Sequence, residues 1–310
     1  MNYRKSPDNY KDWLKDRSDN PSIGASASAS ILGLNPWHSE VDLWDDLVNG
    51  LKPQEDNLAM WLGREMEPII KKLFMDKTGL KVLNDNKIRI DKEYHFLTTN
   101  LDGMVVGEGV PVEYKTTGMP WNGDIPDHYF VQIQHQMMVT NSPSIYFVSL
   151  SMGQRKELIV EKYDRNDEFI YDMRNSLVNF WNNHVVTKVP PEPKSVDDAK
   201  KIFDIVDPES TAMAQPEDQL VWSSLTDLKR QKFELEKQIK AHQLEIMKKL
   251  GDSESLVDQN GQTLVTWKKT KDSQVFDVKG FEKDNPELYN KYKKTRNGYR
   301  RFTIKEVING

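Results

Sequence analysis

The chain has 310 residues, 37% of them hydrophobic, with a net charge of −5 and no cysteine. That length supports at least one well-buried core with an appended second region. The missing thiols exclude disulfides, cysteine nucleophiles and cysteine-held iron–sulfur clusters, which suits a reducing cytoplasm. No apolar run approaches the roughly 18 residues of a membrane span, and the N-terminal residues lack a signal-peptide core, so a soluble cytoplasmic protein without membrane contact is expected.

Alanine and serine alternate from Ala25 to Ser30. The run reads as a helix from Ser26 to about Leu32. Either it packs its small residues closely on the core, or its free first-turn amides attract an anion. Acidic residues cluster over 42–56 and again over 192–217. In Trp61 to Phe74 the apolar Ile69, Ile70, Leu73 and Phe74 recur at helical spacing. Gly63 falls one turn before Glu67 on the same face, leaving it bare enough for a strand or a DNA backbone to approach. Pro68 lacks an amide donor and disfavours helical geometry at Glu67, so a kink is expected there. Read blandly, Glu67 is a solvated helix carboxylate.

Leu101-Asp102-Gly103 and Glu113-Tyr114-Lys115 follow, with Gly107-Glu108-Gly109 between them as a turn signal. Strand alternation puts Glu113 and Lys115 on one face and Val112, Tyr114 and Thr116 on the other, and the hairpin brings Asp102 beside Glu113. Two carboxylates and an amine are the minimum for metal-assisted phosphodiester cleavage. Carboxylates hold a divalent cation, and magnesium takes one or two of them while keeping waters. Asp102 and Glu113 fit that role, with the Tyr114 backbone carbonyl as a further oxygen ligand. The Lys115 ammonium then orients the attacking water or stabilises charge developing on the phosphate. An acid-x-lysine triplet alone reads equally as a surface ion pair on an edge strand.

Pro126 and Asp127 signal the start of a helix with Phe130, Ile133 and Met137 as an apolar stripe. Gln132, His135 and Gln136 gather on another face. Residues 144–150 and 157–163 alternate as strands around a turn at Met152-Gly153, and a helix from Asn166 turns Phe169, Ile170, Met173, Leu177, Phe180 and Trp181 inward. The prolines of 190–193 mark a domain boundary. Residues 194–216 read as a linker with a short helix. Over 217–250 Leu225, Leu228, Leu235, Ile239, Ile246 and Leu250 form a helical stripe suited to an arm, a coiled-coil contact or partner docking. A strand over 263–268 follows. The tail then interleaves Lys291, Lys293, Lys294, Arg296, Arg300 and Arg301 with Tyr292, Tyr299 and Phe302, which suits either a nucleic-acid surface or a solvated tail.

Taken in order, Ile23-Gly24-Ala25-Ser26, Gly63 to Glu67, Leu101-Asp102-Gly103, Glu113-Tyr114-Lys115 and Val131-Gln132-Ile133-Gln134 resemble the lambda-exonuclease-type branch of the PD-(D/E)xK nucleases, in particular the YqaJ-like viral recombinases. The resemblance covers roughly residues 10–190. It implies an α/β fold with a PD-(D/E)xK restriction-endonuclease-like core, a mixed central sheet flanked by helices, followed by a mainly helical C-terminal extension. The implied division is a nuclease domain over 1–193, a linker over 194–216 and the extension over 217–310.

The resemblance also implies catalytic roles for Glu67, Asp102, Glu113, Lys115 and Gln132, with Gln134 and Gln136 as alternatives to the last. Asp102, Glu113, Tyr114 and Glu67 become the magnesium ligands, manganese being a substitute. Arg17 and Ser26 become the holders of a 5′-phosphate, although Arg17 is displaced by a couple of positions from the family pattern. The implied activity is magnesium-dependent 5′–3′ degradation of linear duplex DNA, leaving a 3′ tail for a single-strand annealing protein of the RecT or Beta kind. A homo-oligomer, in this family a trimeric ring, is implied as well. Two competing readings use the same core: a sequence- or structure-specific endonuclease, and a non-catalytic DNA-binding scaffold.

Overall fold

The structure is a computed structural model that describes residues 2–7, 9–51, 57–118, 124–154, 156–205, 207–296 and 298–304. The end of the first acidic cluster, 52–56, and the N-terminal Met1 lie outside these residues. The chain forms two compact units, Met1–Phe203 and Asp204–Gly310.

In the first unit β1 (Asn2–Lys5), β3 (Val82–Ile90), β4 (Leu97–Val105), β5 (Pro111–Thr117), β6 (Ser144–Ser151) and β7 (Leu158–Asp164) lie in that spatial order, and β2 (Ile23–Gly24) pairs with β4. The sheet is mixed: β5 and β6 run parallel, β2 and β4 run parallel, and the remaining neighbours are antiparallel. Two parallel neighbours need a crossover, which α5 (Asp127–Thr140) supplies between β5 and β6. The β4–β5 turn forms as the glycines predict, with Gly107 at φ 87° and Gly109 at φ 66°, backbone that side chains with a Cβ rarely adopt.

Alternation along β5 and β6 distributes the core. Val112, Tyr114 and Val148 face Ile70 and Phe74 of α4 (Leu58–Thr78), whereas Phe147 and Ile145 pack with Ile133 and Met137 of α5. A third cluster joins Ile23, Leu97, α2 (Ser28–Ile31), α5 and α6 (Asp167–Phe180). Helices therefore cover both faces of the sheet, as the alternation predicts. Helix α4 runs uninterrupted through Pro68. Gly63 serves as a contact point: a Cβ there would stand 3.9 Å from Thr116 Oγ1.

Five elements of the first unit lie outside the sequence reading: strands β1, β2 and β3 and the helices α1 (Tyr10–Asp19) and α3 (Glu40–Asn49). The short β1 and the α1 face carry too few apolar residues to set a period, whereas α3 has Val41, Trp44 and Val48 at helical spacing behind the Ser39 cap and is open to the same reading. Residues 194–203, read from sequence as linker, belong to the first unit. Helix α7 (Val196–Ile202) is tied to α3 by Ser39 Oγ–Asp198 (2.6 Å), by Lys194–Glu40 (2.6 Å) and by Lys201–Asp42.

The second unit opens with the long helix α8 (Pro216–Leu250), started by proline at its first position and closed by Gly251 at φ 54°. Its Leu228, Leu235 and Ile239 are exposed. The strand expected over 263–268 is Thr263–Thr266 (β9), paired with β8 (Ser255–Val257), and two short helices follow, α9 (Val278–Asp284) and α10 (Pro286–Tyr292), the second holding Lys291 and Tyr292 of the basic tail. Among the described residues no helix is long and apolar enough to cross a membrane.

Candidate active site

The site lies where the sheet splits. Along its edge opposite β3, strand β4 pairs with β2 at Leu97 and Thr98 and with β5 at Gly103 and Met104. Between these contacts Asn100 and Asp102 face a gap in the ladder. One step beyond the Gly103–Val112 pair, Asp102 satisfies β5 with its side chain: the Tyr114 N–H donates to Asp102 Oδ2 at 2.7 Å. A strand residue directs its N–H and C=O to the same edge, so the Tyr114 carbonyl turns toward this gap too.

Glu113 points to the opposite face from Tyr114 and is 3% exposed. Its Oε1 accepts from Lys115 and, at 2.5 Å, from Gln132 Nε2, and its Oε2 accepts from Gln136 Nε2 at 2.6 Å. Gln132 and Gln136, one turn apart on α5, thus clasp one carboxylate. Gln134 points elsewhere. It accepts from the Asn166 N–H (2.9 Å) and donates to the Asp164 carbonyl (3.0 Å), fastening the start of α6. The structure therefore corrects its role as a catalytic alternative, because a helix residue two positions from Gln132 faces away from it.

Electrostatics couple the carboxylates. Burial, and next the charge of Glu113, raise the Asp102 carboxyl well above its ordinary value against the opposing pull of Lys115 and the Tyr114 amide. Burial and then Glu113 also raise Glu67. Burial alone would lower the Lys115 ammonium, but Glu113 and Asp102 outweigh it and raise it. Two buried carboxylates with one ammonium carry excess negative charge, and a cation between them would relieve it. Among the described residues no three histidine, aspartate or glutamate side chains close around one point. The donors present fit magnesium, which fills its shell with water and substrate oxygens around one or two carboxylates. Asp102, Glu113 and the Tyr114 carbonyl are the atoms that would hold it. The Tyr114 phenol takes no part in this. It is buried against α4 with its hydroxyl unpartnered.

Arg17 and Ser26 come to the same place. A cavity of about 290 Å³ is lined by both, together with Asp102, Glu113, Lys115 and Gln132. Arg17 reaches it from α1, donating to the Ser22 carbonyl (3.0 Å) with its guanidinium beside the Trp13 ring (5.5 Å). A Cβ on Gly24 would meet Arg17 Nη2 at 3.3 Å, so the glycine gives the guanidinium its seat. Burial, and then Arg4, lower the Arg17 pKa.

The serines of the small-residue run divide their work. Ser28 and Ser30 are buried, whereas Ser26 is exposed to the cavity. Ser28 Oγ lies 2.6 Å from His135 Nδ1, and His135 Nε2 lies 3.1 Å from the Thr98 carbonyl. Since a carbonyl only accepts, Nε2 carries the proton and Nδ1 accepts from Ser28. Burial pushes this imidazole down to about 4. His135 thereby joins α5, β4 and α2.

Arg4, Trp13 and Asn100 also line the cavity and had no sequence assignment. Trp13 and Arg17 are spaced i, i+4 on α1, the one local signal available. Arg4 sits on a strand too short to show a pattern. Glu67 lies beyond this cavity, in a neighbouring one that it shares with Asp102 and Tyr114.

Residues 12–143 match the YqaJ-like viral recombinase domain. An uncharacterized protein, YqaJ, of Bacillus subtilis strain 168 is 30% identical over 96% of this chain and 94% of its own length. Two solved structures are similar: an alkaline exonuclease from Laribacter hongkongensis (TM-score 0.48, 20% identity, 58% of this chain and 94% of that one) and a phage-related exonuclease from Haemophilus somnus 129PT (TM-score 0.42, 14% identity, 55% and 97%). With identity sustained along nearly the whole chain, this protein belongs to the YqaJ-like viral recombinase family.

Proposed function

We propose that the chain is a magnesium-dependent exonuclease that degrades one strand of linear duplex DNA from its 5′ end. The observation that carries this reading is the single cavity shared by Arg17, Ser26, Asp102, Glu113, Lys115 and Gln132. A guanidinium and a hydroxyl suit a terminal phosphate, and the carboxylates and ammonium suit the scissile one beside it.

Bound magnesium would supply Lewis-acid polarisation of the phosphate and acidify a water. The protein's own groups do the rest. Lys115, held by Glu113, presents an ammonium to the attacking water or the developing charge. Gln132 and Gln136 fix the Glu113 carboxylate so that its geometry does not depend on solvent. Arg17 and Ser26 would fix the 5′ end so that cleavage falls one nucleotide in, and manganese would substitute for magnesium in the same oxygen set. The 3′ tail would pass to a single-strand annealing protein of the RecT or Beta kind, α8 being a docking surface for it. A homo-oligomeric ring, three subunits in this reading, would keep the enzyme on its DNA between cuts.

The test is magnesium-dependent digestion of a linear duplex labelled at either end, beside a closed circle and the Lys115→Ala variant. The expected result is release of 5′ label as mononucleotide, with circle and variant inert. Nicking of the circle would establish an endonuclease instead, and binding without cleavage a scaffold.

A further inference from the structure

Asn100 and Asp102 line two cavities. The second, about 420 Å³, adjoins the first at these two residues and opens toward α4, where Arg64, Glu67, Lys71, Asn84 and Asn86 line it. Arg64, Glu67 and Lys71 fall at i, i+3 and i+7, so one face of α4 presents two cations around the Glu67 carboxylate in the cavity that Asp102 also lines. Asp85, also on this wall, is neutralised by Arg89 through bonds of 2.7 and 3.0 Å. The Lys71 ammonium rests on a neutral group, the Asn84 amide oxygen.

We infer that this second cavity receives the phosphate on the 3′ side of the scissile one, with Lys71 and Arg64 as its cations and the Asn84 and Asn86 amides as further donors. The inference rests on the exonuclease reading above. A strand with its terminal phosphate at Arg17 and Ser26 and its scissile phosphate at Asp102 must continue past Asp102, away from Arg17. The polar space that begins there is this cavity. A backbone phosphate recurs at every nucleotide, and each one neutralised by a protein cation releases a counterion.

The experiment measures first-turnover cleavage of a 5′-phosphorylated linear duplex by the full-length chain and by Lys71→Gln, across a range of salt. A second substrate carries a neutral methylphosphonate in place of the phosphate 3′ of the scissile bond. Lys71→Gln should lower kcat/KM about tenfold on ordinary DNA and make its log–log salt dependence shallower by about 0.7–0.9. The methylphosphonate should cost the unmodified protein a similar factor and cost Lys71→Gln almost nothing more. The preference for 5′-phosphate over 5′-hydroxyl ends should hold in the variant. Independent, multiplying losses from variant and modified DNA, or an unchanged salt slope, would overturn the assignment. So would a loss confined to the 5′-phosphate preference, which would move Lys71 to the terminal pocket. If Lys71→Gln does not fold, Arg64→Gln is read by the same criteria. Failure of the unmodified protein to digest any linear duplex would instead overturn the exonuclease reading itself.

Discussion

Lys115→Ala should damage the protein twice, and the two effects separate by condition. Glu113 is 3% exposed and keeps Gln132 and Gln136 as donors after the ammonium is lost. The amides satisfy its lone pairs but not its charge. Removing one partner of a buried pair typically costs about 3–5 kcal/mol, and the retained amides place this case near the lower end, about 3 kcal/mol. For a unit of this size that is a fall in melting temperature of roughly 6–12 °C.

The loss also depends on pH. Lys115 pulls the Asp102 carboxyl down, so its removal raises that carboxyl further. A carboxyl raised on folding binds its proton more tightly in the folded chain, and stability from this source falls as pH rises from the unfolded value of about 3.9 through the raised folded one. Lys115 itself has a raised ammonium in the folded chain, so its contribution is fully present at neutral pH and below. The deficit should be largest near pH ~8 and shrink toward pH ~5. Turnover in magnesium should drop about 10²–10³-fold. Calorimetric melting in EDTA at both pH values measures the first effect. A variant melting within ~2 °C of the parent at pH ~8, or with equal deficits at both, would refute the reasoning.

Gly24→Ala should push the Arg17 guanidinium off its seat, since the new Cβ meets Nη2 at 3.3 Å and the end of a long side chain yields easily. A several-fold smaller preference for 5′-phosphate ends is expected, with stability changed by less than about 1 kcal/mol; competition between phosphorylated and unphosphorylated duplexes reads it. Gly103→Ala meets Val82 Cγ1 at 2.4 Å and the Leu83 carbonyl at 3.2 Å. Neither can retreat from the β3–β4 ladder, so overpacking should cost about 1–3 kcal/mol in urea unfolding. His135→Phe should lose the Ser28 and Thr98 bonds at a cost of about 1–3 kcal/mol. It should also flatten a pH dependence. An imidazole lowered to about 4 stabilises fully above its unfolded value, and that stability is lost as pH falls from ~6.5 toward 4. Unfolding curves across that window should show the parent weakening more steeply than the variant.

The chemistry of the site was legible because it is local in sequence. Strand alternation separates Glu113 and Lys115 from Tyr114, the glycine turn folds Asp102 back toward them, and the period of α5 puts Gln132 and Gln136 on one face. Helix α8 was equally plain, since its stripe repeats for many turns. Other features depended on long-range contacts. The period of α5 already turns Gln134 away from Gln132, but only the position of α6 shows what it does there, serving the first turn of that helix. Among Ser26, Ser28 and Ser30, composition makes no distinction, whereas His135 and His38 take the second and third and leave Ser26 to the cavity.

By itself the sequence determined the two strands, the turn and the two helices that carry the acidic, basic and amide groups, because each is set by periodicity and by where glycine and proline fall. The tertiary structure decided where those groups meet. Strand β2, two residues long, claims one end of β4 and β5 the other, and the ladder between them stays open at Asn100 and Asp102. A gap of that kind is written in no local pattern, since it arises from which backbone edges remain unpaired once distant segments have packed.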